Sequence, residues 1–178
     1  MSYLIPTEEL TLSDIKAFRG GAAEAGIAMA IKHSIGARDG LVVRAAENIA
    51  DFTTTLDQWN TAALNVVGTN YTVFNGAANP TLAVNKVAVF YKVGIETAPN
   101  PVGLLSFRRG AAAGTTLAVF DTEQLVNKLT SDGYFSEPVV YGPQTVLNVV
   151  VMARIATLLL ARVQLGCFII EPVQQTIS

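Results

Sequence analysis

The sequence predicts a mainly β fold: an antiparallel β-sandwich with an N-terminal helical arm and one short helix inserted between strands. Three observations predict it. From residue 61 onward, short runs dense in β-branched residues recur between Gly, Pro and Asn turn signals. Several of these runs alternate apolar and polar residues with the period of a strand. Before residue 60 the chain is instead rich in Ala and Gly, with apolar residues at helical spacing.

Taken in order, the arm spans residues 1–58 and the sandwich residues 59–178. Thr11 and Ser13 are candidate N-caps, and Asp14 suits the positive end of a helix. Ile15, Phe18, Ala22, Ala25, Ala28 or Met29, and Lys32 follow at helical spacing. Gly20, Gly21 and Gly26 lower helix propensity by up to ~1 kcal/mol each, which predicts a helix that is broken or ordered only by a neighbour. Gly36 and the Arg38-Asp39-Gly40 turn end it. Residues 41–44 read as a short strand. Residues 45–59 are ambiguous: Thr53-Thr54-Thr55 favours extended or capping structure, and Leu56-Asp57-Gln58-Trp59 a helical turn.

The predicted strands of the sandwich are residues 64–67, 71–74, 84–95, 102–108, 115–120, 139–141, 146–155 and 161–171. In the last, Ala161, Val163, Leu165 and Cys167 face one way, and Arg162 and Gln164 the other. In residues 146–154, Leu147, Val149, Val151 and Ala153 share one face, and Asn148 and Arg154 the opposite one. A helix over residues 121–129 interrupts the series, capped by Asp121 or Thr122, with Leu125, Val126 and Leu129 as its apolar stripe and Asp132-Gly133 as its stop. About eight short strands with turn signals read as an antiparallel sandwich or a single jelly roll.

Composition narrows the function classes. The 178 residues form one domain, long enough for a core without disulfides or metal. Hydrophobic residues make up 51% and charged residues 15%, with a net charge of -2. Mean hydropathy is +0.40. These values exclude a disordered chain and a basic nucleic-acid binder. They leave too few polar groups to cover an isolated domain, so either lipid or neighbouring subunits cover part of it. The most apolar run, residues 146–170, contains Arg154 and Arg162, which a spanning helix excludes. Subunit contacts therefore account better for the apolar excess. The N-terminus has no secretory-signal pattern, and on that reading the Asn70-Tyr71-Thr72 sequon is a chance match.

No constellation points to catalysis, a cofactor or a metal. His33 is single, which removes any multi-histidine metal site, and its neighbours Lys32 and Ser34 point elsewhere on a helix. Cys167 is the only cysteine and lies on the apolar side of a strand, as a buried small hydrophobe does. Arg108-Arg109-Gly110 to Thr116 has the glycines of a phosphate loop but not its lysine, and reads as an inter-strand loop. Asp51, Asp57, Glu137 and Glu171 are dispersed along the chain. Trp59, Tyr71, Phe74, Phe90 and Tyr91 have the density of a core. If exposed in a row, they would instead form a sugar platform, the alternative reading as a carbohydrate-binding module.

Three segments carry a family resemblance: residues 116–125; Gly133-Tyr134-Phe135-Ser136-Glu137-Pro138-Val139-Val140-Tyr141-Gly142-Pro143; and residues 146–172. Residues 41–44 and Val87-Ala88-Val89-Phe90-Tyr91 fit the same rhythm. In strand rhythm and composition the chain resembles the small, single jelly-roll major capsid proteins of tailless, membrane-containing icosahedral bacteriophages. The resemblance implies a non-enzymatic capsid subunit that self-assembles through its sandwich flanks and N-terminal arm. It implies a virion location after assembly in the host cytoplasm, copies of itself and other virion proteins as partners, and one end directed at an internal membrane or genome. No specific nucleic-acid binding is expected. Candidate inter-subunit contacts are Phe18, Arg19, Ile27 and Met29 on the arm and Arg108 and Arg109 on the loop. Another virion component, such as a tail, spike or minor shell protein, is the neighbouring alternative.

Overall fold

The structure is a computed structural model and describes residues 2–52, 59–74, 79–110, 114–127 and 131–173. Its strands are β1 (Leu4–Pro6), β2 (Leu41–Ala45), β3 (Asn60–Ala63), β4 (Asn70–Thr72), β5 (Val87–Ile95), β6 (Val102–Arg109), β7 (Thr115–Asp121), β8 (Asp132–Tyr141), β9 (Leu147–Ala153) and β10 (Leu160–Pro172). Three helices accompany them: α1 (Leu12–Lys32), α2 (Asn48–Phe52) and α3 (Glu123–Asn127). One sheet runs β1-β8-β5-β10-β2, with β3 paired to the start of β10. The other runs β4-β9-β6-β7. All pairs of named strands are antiparallel. The chain is thus a mainly β protein of two antiparallel sheets, consistent with a β-sandwich.

The alternation predicted for the last strand holds. Ala161, Val163, Leu165, Cys167 and Ile169 point between the sheets and are buried, while Arg162 and Gln164 are exposed. From the facing sheet come Leu105 and Phe107 of β6, Phe120 of β7, and Leu147, Val149 and Val151 of β9. The interior is aromatic. Phe90 meets Tyr141 and Trp59 edge-on, and Phe120 stacks on Phe135 with centroids 4.2 Å apart. The Tyr141 hydroxyl donates across the core to the Arg108 carbonyl at 3.0 Å, so one buried polar atom ties the two sheets together.

The helix expected to be broken, or ordered only by a neighbour, is continuous over 21 residues and is packed on the chain's own sheet. Thr11 is its cap: its hydroxyl accepts the Asp14 backbone N–H at 3.2 Å, and the Asp14 carboxylate accepts the Thr11 backbone N–H at 2.8 Å. Ala22, Gly26 and Ala30, four residues apart, are buried against the outer face of the β5–β10 sheet. Their small size lets the helix backbone lie on Val87, Val89, Phe168 and Ile170. Packing on the chain's own sheet offsets the weak propensity that predicted a break. A Cβ at Gly26 would fall within 3.0 Å of the Ile170 and Val89 side chains, so glycine there serves close approach.

Four strand assignments change. Residues 64–67 form a turn, not a strand: the Tyr71 hydroxyl accepts the Val66 N–H at 3.0 Å, and Thr69 N–H bonds back to the Val66 carbonyl. The neighbouring strand is β3, whose weak β-formers are held by pairing with β10. β8 starts at Asp132 rather than 139, so Asp132-Gly133 opens a strand instead of closing a helix. Gly133 is needed there because a Cβ would meet Leu125 Cδ2 at 2.8 Å. Pro138 is tolerated inside β8 because it lies beyond the β1 pairing and at the register shift against β5. The fourth change is β1, at the N-terminus, where no strand was predicted. Residues 53–58, including Asp57, and residues 128–129 of the predicted second helix lie outside the described residues.

Candidate assembly surfaces

The densest group of charges lies at one end of the sandwich and is closed on itself. The Asp51 side chain is fully buried at the start of the chain's passage into the core, on α2. Arg44 of β2 grips it with two nitrogens at 2.7 and 2.8 Å. Lys86 reaches its other side at 2.7 Å, and the Glu47 backbone N–H donates at 2.8 Å. Arg44 also donates to Glu171 at 2.7 Å. Burial alone would push the Asp51 carboxyl up; the bonds from Arg44, Lys86 and Glu47 outweigh it and hold it at about 2. Asp51 and Glu171, dispersed in sequence, are therefore brought together, but each is neutralised by the same two cations. The group clamps the ends of β2 and β10 to α2, and its oxygens are occupied.

The Cys167 thiol is fully enclosed, and burial pushes its pKa well up, as expected for an inert side chain. His33 is exposed at the end of α1, its imidazole over Gly142. Among the described residues, no three His, Cys, Asp or Glu side chains gather as a metal would need. Among them, too, no helix is long and apolar enough to cross a membrane. Trp59, Phe74 and Phe90 are buried in the core, so they offer no exposed platform for a sugar.

The predicted contact residues divide. Phe18 tilts against Tyr134 with centroids 5.8 Å apart, and the Arg19 guanidinium lies 5.7 Å from the centre of the Phe168 ring. Ile27 and Met29 pack into the same outer cluster. All four thus meet their own chain's sheet. Arg108 and Arg109 end β6 opposite Thr116 and Thr115, beside the predicted inter-strand loop, and Arg109 is exposed.

The exposed apolar surface is concentrated where sequence reasoning did not look. At the end of the sandwich opposite the charged group, the loops before β4 and before β10 lie side by side. Leu64 N–H bonds to the Leu159 carbonyl and Thr157 N–H to the Leu64 carbonyl at 2.8 Å. Val66 and Val67 are exposed on one loop, Ile155, Leu158 and Leu159 on the other, and Leu160 at the start of β10 beside them. Leu158 is 88% exposed and Leu159 68%. A run of leucines left in water at a loop tip is costly in an isolated molecule. The apolar residues in 155–160 do signal this in the sequence, but their run merges with the strand that follows. No protein-family model matches the chain, and no curated protein is significantly similar to it.

Proposed function

We propose that the protein is a structural virion protein, a capsid subunit that assembles with copies of itself into an icosahedral shell. The observation that carries this reading is the aliphatic tip of Val66, Val67, Ile155, Leu158, Leu159 and Leu160 on a chain whose buried ionic groups are already paired. Such a surface is stabilised by being covered, and association covers it.

The strand order supports a single jelly roll as the finer fold. β2 pairs with β10, β4 with β9, β5 with β8 and β6 with β7. First pairs with last, inward to a central hairpin, as in a long hairpin rolled into two sheets; β1 and β3 are additions. The N-terminal arm fits the same reading. Leu4 and Phe52 enter the core and α1 docks by its small-residue face on the outside of the chain's own sheet, so its opposite face is the part of the arm left to meet neighbours. Copies of the chain and other virion proteins are the partners, and the virion is the location.

The test is light scattering and electron microscopy of the purified full chain beside Leu158→Ser/Leu159→Ser. The wild type is expected to form oligomers or shell-like particles, and the variant to associate at least tenfold more weakly while keeping its thermal stability. A wild type that stays monomeric at high concentration overturns the proposal.

A further inference from the structure

We infer that β7 is an open sheet edge that pairs with β7 of a second copy, joining two molecules through one continuous sheet about a twofold axis at Ala118. This deepens the assembly reading and rests on it, but it concerns a different surface, the β7 edge, whose Asp121 end alone shares a groove with Val67 of the aliphatic tip.

Among the described residues, β7 pairs with β6 alone, so one side of its backbone N–H and C=O groups faces outward. A groove of about 220 Å³ opens between this edge and β8, lined by Ser2, Leu117, Ala118, Glu137, Pro138 and Val139, so none of the described residues covers the edge there. The other edges are guarded or short. β1 has three residues and ends in Pro6, β4 has three, and β2 carries Arg44, which is tied into the buried ionic group. β7 has seven residues, Thr-Thr-Leu-Ala-Val-Phe-Asp, with no proline or lysine and its one charge at the end. Natural edge strands ordinarily carry such guards against pairing, and their absence here marks an edge meant to be paired.

The strand is also complementary to itself. In an antiparallel pair, residues directly opposite share a face. Only the register that sets Ala118 against Ala118 pairs all seven residues of both copies. It sets Leu117 opposite Val119 twice on the outer face, where these side chains are now 39% and 37% exposed. It also sets Thr115 opposite Asp121, a hydroxyl donor facing a carboxylate. Apolar cross-strand pairs of this kind stabilise antiparallel ladders. The contact is isologous and closes as a dimer, as a building block of a larger assembly requires.

The experiment compares the full-length wild type with Leu117→Lys/Val119→Lys by sedimentation over a hundredfold concentration range. It also subjects single Ala118→Cys and Thr115→Cys variants to mild oxidation. Residues opposite in such a pair are close enough for a disulfide. The dimer is expected to dissociate at least tenfold more readily in the lysine variant. Ala118→Cys is expected to give a covalent dimer, and Thr115→Cys none, since Thr115 meets Asp121 of the second copy. Should the lysine variant fail to fold, the cysteine pair decides. Association unchanged by the lysines, or equal crosslinking at both cysteines, overturns the β7 contact and leaves the assembly reading standing. A wild type that is monomeric throughout overturns both.

Discussion

Three glycines of one helix are expected to respond to the same substitution with opposite signs. Around Gly20 and Gly21, beyond the adjacent residues and the helix's own backbone, there is no atom within 4 Å of where a Cβ would stand. Gly→Ala at either site only improves helix propensity, by ~1 kcal/mol. At Gly26 the same methyl group would lie within 3.0 Å of Ile170 Cδ1 and Val89 Cγ2, both on fully buried side chains. Val89 is β-branched and stiff, so little relief comes from rotation. Overpacking of this kind costs ~1–3 kcal/mol; with the propensity gain set against it, Gly26→Ala is expected to lose about 1 kcal/mol net. In a chain of this size, that corresponds to a fall in Tm of roughly 2–4 °C, and to a comparable rise for each of the other two variants. Urea unfolding followed by the fluorescence of Trp59, the only tryptophan, reads the midpoints directly. Val89→Ala removes one of the two clashing methyls, so adding Gly26→Ala to it should cost less than adding it to the wild type. Equal stabilisation by Gly26→Ala and Gly20→Ala would refute the close docking of α1 on the sheet.

Two further predictions concern buried polar chemistry. Asp51→Asn leaves Arg44 and Lys86 facing a neutral group in a buried site and is expected to cost about 3 kcal/mol in denaturant unfolding; a loss below ~0.5 kcal/mol would contradict the ionic clamp. Because the folded-state pKa of Asp51 is held at about 2, below its usual 3.8, its contribution is present above pH ~4 and is lost as pH falls toward 2. The wild type should therefore lose stability over that window more steeply than Asp51→Asn, and parallel pH curves would count against the assignment. Cys167 should resist a thiol reagent in native buffer and react fully only after unfolding; rapid native labelling would mean that the inner face of β10 is not sealed.

Where the sequence reading was accurate, the signal was local. The faces of β9 and β10 were legible because alternation is fixed by the pleat, whatever the partner strand. The cap at Thr11 was legible because a reciprocal cap uses residues three apart. The misreadings share a cause. Val66 and Val67 have strand propensity but sit in a turn, and Asn60–Ala63 has little but forms a strand, because pairing with β10 decides both. Asp132-Gly133 looks like a helix stop, yet Gly133 is there to let Leu125 approach from α3. As for the candidate surfaces, the polar deficit indicated covered flanks, but it could not say where they lie. Only folding brings the loops before β4 and before β10 together, and only the sheet order leaves β7 at an edge.

The sequence by itself determined that this is a mainly β chain with a helical N-terminal segment, because strand and helix periods are properties of a single backbone. The tertiary structure decided that the glycine-interrupted helix runs unbroken, since it supplies the sheet that Ala22, Gly26 and Ala30 pack on. It also decided that distant Asp51 and Glu171 share Arg44, and that β2 pairs with β10 and β4 with β9. Each of these rests on contacts between residues far apart in the chain, whose free energy depends on what the fold brings near and not on any neighbour in sequence.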